Sequence, residues 1–158
     1  KEHRISFGTE YESRRATLTW DQVRSSDRHH VIGCHGYGHL RLSANLTEPE
    51  LLHEITDAKL RLERELGHEV TVFAWIGGEA WSYSATAAKE IHRAGFRVSF
   101  MTNSSIFRPG DNLLQIQRAN VEAYYPLSLT KFVLSGAMDL FYWRKRADVF
   151  RLTTSVPR

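Results

Sequence analysis

A single cysteine, Cys34, is the only thiol in this 158-residue chain, so no intramolecular disulfide framework can staple it. No apolar run approaches the length of a membrane-spanning helix, and the first residues lack the apolar core of a secretory leader. A water-soluble chain without membrane contact is expected, and its compartment stays open. Charge of one sign is not concentrated either. The 21 basic and 18 acidic side chains are interspersed, for a net charge of +3, which gives little ground for a nucleic-acid partner. Internal repeats, low-complexity tracts and linkers are missing as well, so the length makes one domain with an ordinary core.

What the chain does contain is an alternation of strand and helix signals. Residues 1–17 are charged and almost without apolar periodicity, and are expected to form an arm or loop. The domain proper spans 18–150, and 151–158 make a tail. Thr19 with Gln22 reads as a capping box for a short helix ending before His29, and Val31 to Cys34 as a buried strand. Thr47-Glu48-Pro49-Glu50 combines a cap, early acids and a first-turn proline. Leu51, Leu52, Ile55, Ala58, Leu62 and Leu66 then recur at helical spacing until Gly67.

Val70 to Trp75 reads as the next strand, broken by Gly77-Gly78, and Ser84 to Ala94 as a helix ended by Gly95. Phe96 to Met101 and Leu113 to Val121 are further strand segments. Pro126 opens a last helix running through Trp143 to the basic Arg144-Lys145-Arg146. Its Phe132, Phe141 and Trp143 are expected to be buried against the sheet; their exposure would instead favour a membrane-surface or interaction role. This order argues for an α/β fold with parallel strands and outer helices.

The stretch Val31-Ile32-Gly33-Cys34-His35-Gly36-Tyr37-Gly38-His39 carries the chemistry. Imidazole is the commonest side-chain ligand for zinc and similar ions, so His35 and His39 read as half of a metal site, with a divalent metal, zinc foremost, as cofactor. Gly36 and Gly38 allow a sharp turn and a close backbone approach. Cys34 would face the other side of an extended strand and reads as a small buried side chain. By spacing alone, an ordinary surface histidine pair is the alternative.

The run His30 to His39 resembles the second motif of the polysaccharide deacetylases, carbohydrate esterase family four, which reads His-x-Ile-Gly-x-His-Ser/Thr-x-x-His. Leu18 to Arg24 is similar to the short helix before that motif. Phe73-Ala74-Trp75-Ile76-Gly77-Gly78-Glu79 stands where the family has its third motif, and Ala94-Gly95-Phe96-Arg97 resembles its turn into the next strand. The likeness spans roughly residues 18 to 122.

This resemblance implies an incomplete distorted (β/α) barrel without its opening strand or strands. It also implies an exposed edge beside Val31 to Cys34, covered by a second copy in an oligomer, by the 1–17 arm or by further residues. The implied activity is metal-dependent removal of N-acetyl groups from a polysaccharide or amino-sugar precursor. His35 and His39 would hold the metal, and Tyr37, Trp75, Gly77, Gly78 and Trp81 would bind an N-acetylated oligosaccharide or polysaccharide. Arg118 would orient a catalytic carboxylate or bind an anion.

The chain also departs from the pattern. No two aspartates are adjacent, so the family's third ligand and catalytic base have no counterpart. Gly77-Gly78 stands in place of a Pro-Tyr pair, and no histidine follows His92 to serve as general acid. Two readings follow. The chain is the carboxyl-terminal portion of a deacetylase whose aspartates lie upstream, which the intact His-Gly-Tyr-Gly-His favours, or it is an inactive carbohydrate-binding relative that keeps the groove.

Overall fold

Residues 17–154 are described by a computed structural model of the chain, which divides into two units, Lys1–Ile32 and Gly33–Arg158. The arm expected over 1–17 therefore lies outside the described residues except at Thr17. In the first unit, helix α1 (Trp20–Asp27) starts where its sequence directs. The Thr19 backbone N–H donates to Gln22 Oε1 at 2.8 Å, and the Gln22 N–H donates to Thr19 Oγ1 at 3.3 Å.

The second unit is built on three parallel strands, β1 (Val72–Ala74), β2 (Val98–Met101) and β3 (Ile116–Gln117), in that spatial order. Val72 stands opposite Val98, and Phe100 opposite Ile116. Cys34 adds one parallel bridge outside β1: its N–H donates to the Val72 carbonyl and its own carbonyl accepts from the Ala74 N–H, both at 2.8 Å. The strand expected over Val31 to Cys34 is reduced to that bridge. Val31 is 81% exposed, and past Cys34 the left-handed Gly36 (φ 87°) turns the chain out of the ladder. Among the described residues the sheet is open, an incomplete α/β barrel with helices around it.

Helix α2 (Glu48–Leu52), a π turn (His53–Asp57) and helix α3 (Ala58–Leu66) follow one another without a break. The Glu50 carboxylate accepts from the Thr47 N–H at 2.8 Å and from its hydroxyl at 2.7 Å, and Gly67 (φ 78°) ends the run. Leu51, Ile55 and Ala58 enter the core, with Leu62 and Leu66 packed against it. Helix α4 (Ala85–Arg93), capped by Ser84, contributes Ala87, Ala88 and Ile91. Phe73 anchors the aromatic centre, 5.2 Å from the Phe96 ring and 6.1 Å from Trp75. Each such side chain, fully buried, contributes about 1.5–3 kcal/mol.

The segment read as a strand over Leu113 to Val121 is a 3-10 turn (Leu113–Gln115) followed by the two residues of β3, because the Asn112 side chain caps the Leu114 N–H at 2.9 Å and starts a turn. The last helix is two, α5 (Leu127–Leu134) and α6 (Asp139–Thr153), parted at Gly136 (φ 80°). The expected burial of the aromatic stripe is not found: Phe132, Phe141 and Trp143 are 43%, 73% and 55% exposed. The break divides one apolar face into two. Helix α6 reaches the interior through Val149 and Thr153 instead, and the two-residue β3 offers little surface to cover the rest. No described helix is long and apolar enough to cross a membrane.

Candidate metal centre and adjoining groove

His35 is the first residue beyond the Cys34 bridge, so the sheet fixes its backbone. Its Nδ1 lies 2.8 Å from the Ala74 carbonyl oxygen. A carbonyl can only accept, so Nδ1 carries the proton and the Nε2 lone pair is left for an electrophile. The His39 ring stands 5.0 Å from that of His35, with the planes crossed at 77°. Two imidazoles on one tetrahedral ion, with metal–nitrogen bonds of about 2.0–2.1 Å, put their ring centres roughly 5 Å apart. The spacing of the rings matches that of a pair sharing an ion.

His39 has φ 61°, a left-handed conformation costing a non-glycine residue about 1–2 kcal/mol. Such strain persists only where the surroundings hold it. Glu54, in the π turn and 2% exposed, bonds the backbone on both sides of His39. Its carboxylate accepts from the backbone N–H groups of Tyr37 (3.2 Å), Gly38 (2.7 Å) and Leu40 (3.3 Å). A Cβ on Gly36 or Gly38 would lie 2.8 or 2.7 Å from a Glu54 oxygen, so both glycines are required by the approach of this side chain.

Beside His35 lies a groove of about 410 Å³ lined by Trp75, Gly77, Gly78, Glu79, Thr102, Arg118, Asn120, Tyr142 and Lys145. Of the residues singled out in the sequence, it gathers His35, Trp75, Gly77, Gly78 and Arg118. Trp75 is 1% exposed; its ring packs against Phe73 and Tyr83, and its indole N–H donates to Ser99 Oγ at 3.2 Å. Tyr37 faces a different hollow of about 200 Å³, its ring 4.2 Å from that of His53. Trp81 is 60% exposed under the Arg41 guanidinium, 5.1 Å from its carbon, and is not among the groove residues.

One wall of the groove is set by Glu79. Its own backbone N–H, the Ser82 hydroxyl, the Gly78 N–H and the Arg41 guanidinium hold its carboxyl down to a pKa of about 2. Ser82 Oγ donates at 2.8 Å, Gly78 N–H at 3.2 Å and Arg41 Nε at 3.3 Å, all to Oε2. Gly77 has φ 80°, and a Cβ there would lie 2.8 Å from Ser82 Oγ. Cys34, 0% exposed, has its thiol pushed up to about 11, chiefly by burial.

The sequence profile of the polysaccharide deacetylases matches residues 7–99, more than half of the chain. The chain belongs to the polysaccharide deacetylase family. The matched stretch of this deacetylase domain holds His35, His39, Glu54, Gly77 and Gly78, whereas Arg118, Asn120, Tyr142 and Lys145 lie beyond it. No curated protein and no solved structure matches the chain significantly. Among the described residues no group of three His, Cys, Asp or Glu side chains is placed to hold an ion.

No motif in the sequence assigns a role to Glu54, Glu79 or Arg41. Glu54 had a signal: a carboxylate three residues after Leu51 and four before Ala58 lies on the apolar stripe of its helix, where an unpartnered charge is costly. Arg41 and Glu79 are 38 residues apart, and nothing local announces their pairing.

Proposed function

We propose that this chain carries the histidine half of a zinc-dependent N-deacetylase acting on N-acetylated polysaccharide or amino-sugar precursors. The observation that supports it most is the His35–His39 pair at ion-sharing distance, with His35 oriented by the Ala74 carbonyl. Outer hydrogen bonds of this kind fix the ring and raise its basicity as a ligand. The chemistry a divalent ion supplies at such a place is polarisation of the acetyl carbonyl and a lowered pKa for bound water.

The chain's own residues do the rest of the positioning. Gly77 and Gly78 keep the groove floor open for a sugar ring, and Thr102, Asn120 and Tyr142 present polar groups to its hydroxyls. Arg118 offers a guanidinium on the same groove, able to fix a carboxylate. The third ligand, the base and the general acid come from carboxylates or other groups outside the described residues. Trp81 and Tyr37 extend the sugar-binding surface outside the groove.

A second reading has its own support. The lack of a three-ligand set among the described residues favours a carbohydrate-binding relative that keeps the groove and has lost hydrolysis. Acetate release from N-acetylated oligosaccharides by the longest natural form, with zinc supplied, separates the two. Release that His35→Ala and His39→Ala both abolish supports the hydrolase; oligosaccharide affinity without acetate supports the binding protein.

A further inference from the structure

Among the described residues the buried carboxylate of Glu54 has no ion-pair partner and serves the backbone of one loop. All three of its hydrogen bonds come from residues between His35 and Arg41, namely Tyr37, Gly38 and Leu40. Two of those donors flank the left-handed His39. A carboxylate has two oxygens and lone pairs for all three N–H groups, whereas an amide in its place has one acceptor oxygen and turns an NH₂ toward a donor. The π turn brings Glu54 inward beside Ile55, and burial at 2% keeps water from replacing it. Gly36 and Gly38 are close enough to the carboxylate that even one methyl group on either would strike it.

We propose that Glu54 is the positioning residue of the metal pair: by tying Tyr37, Gly38 and Leu40 to the core helix, it holds His39 in its left-handed conformation and so sets the distance between the His35 and His39 rings. The hydrogen bonds of Glu54 go to backbone N–H groups and to neither imidazole. The sheet fixes His35 through Cys34, and Glu54 fixes His39 through the loop. This rests on the reading of His35 and His39 as ligands, and the test separates the two claims.

The test compares wild type, Glu54→Gln, Glu54→Asp and Ile91→Val, a core control on α4, by two readouts on the whole chain. The first is hydrogen exchange at the Tyr37, Gly38 and Leu40 amides without metal; the second is zinc affinity by competition with a chelating dye. In Glu54→Gln the three amides should lose protection at least about tenfold while Cys34 and Ala74 keep theirs, and zinc affinity should fall about 10–100-fold, the scale of lost outer-shell partners. Glu54→Asp should recover part of both, and Ile91→Val should leave both unchanged. Zinc affinity within twofold of wild type in Glu54→Gln, or an equal loss in Ile91→Val, overturns the proposal. If Glu54→Gln does not fold, Gly38→Ala presses on the same carboxylate from the loop side and is judged by the same outcomes. Should wild type bind no zinc, the ligand reading fails, and unchanged exchange at Gly38 in Glu54→Gln would overturn the role of Glu54 independently.

Discussion

The Nδ1 of His35 donates to the carbonyl oxygen of Ala74, so a residue of the His loop is oriented by the strand that the loop's own entry residue, Cys34, pairs with. Neutral His35 therefore carries its proton on Nδ1. Long-range ¹H–¹⁵N correlation spectra should show a protonated Nδ1 and a bare Nε2. A proton on Nε2 would leave the ring unable to accept an electrophile where the geometry directs it.

Two glycine substitutions separate backbone strain from crowding. Gly67 has φ 78° with open space where a Cβ would go, so Gly67→Ala should cost about 1–2 kcal/mol. Gly36 has φ 87°, and its Cβ would fall 2.8 Å from both Glu54 Oε2 and Ile76 Cδ1. Gly36→Ala should cost at least about 3 kcal/mol, strain and overpacking together. Thermal unfolding of the two variants measures the difference, and equal losses would mean that the Glu54 contact yields freely.

These contacts also mark how far the sequence could be read. Local chemistry was legible: Thr19 with Gln22 and Thr47 with Glu50 form the caps their spacing announces, and Gly67 and Gly95 end the helices before them. Contacts between distant segments were not. The Arg41–Glu79 pair and the clamp of Glu54 on the His loop depend on which elements the fold brings together. The Phe132, Phe141 and Trp143 stripe failed for a related reason, because periodicity shows that a face is apolar without showing what covers it.

Glu79 gives a dependence on pH with a definite sign. Its folded pKa, about 2, lies below the ordinary carboxylate value of 4.5, so its contribution is present above about pH 4.5 and is lost as pH falls toward 2. Carboxyl ¹³C titration should find Glu79 ionised at pH 3, where exposed glutamates are mostly protonated. In Arg41→Ala its midpoint should rise. A midpoint near 4.5 in the wild type would mean that Ser82, Gly78 and Arg41 do not hold the carboxylate in solution.

Cys34 should be inert in the folded chain, being fully buried with its thiol raised to about 11. Iodoacetamide at pH 8 should leave it unmodified in native protein and alkylate it fully in denaturant. Rapid native alkylation would show that the Cys34–Phe73 bridge opens readily, and with it the backbone support of His35.

Whether His35 and His39 close on one ion is read directly from a zinc titration followed through the side-chain imidazole signals of all eight histidines. The His35 and His39 signals should move together and saturate at one equivalent, while His53, His68 and His92 stay in place. Independent movement of the two, or movement of the other histidines first, would contradict a shared ion.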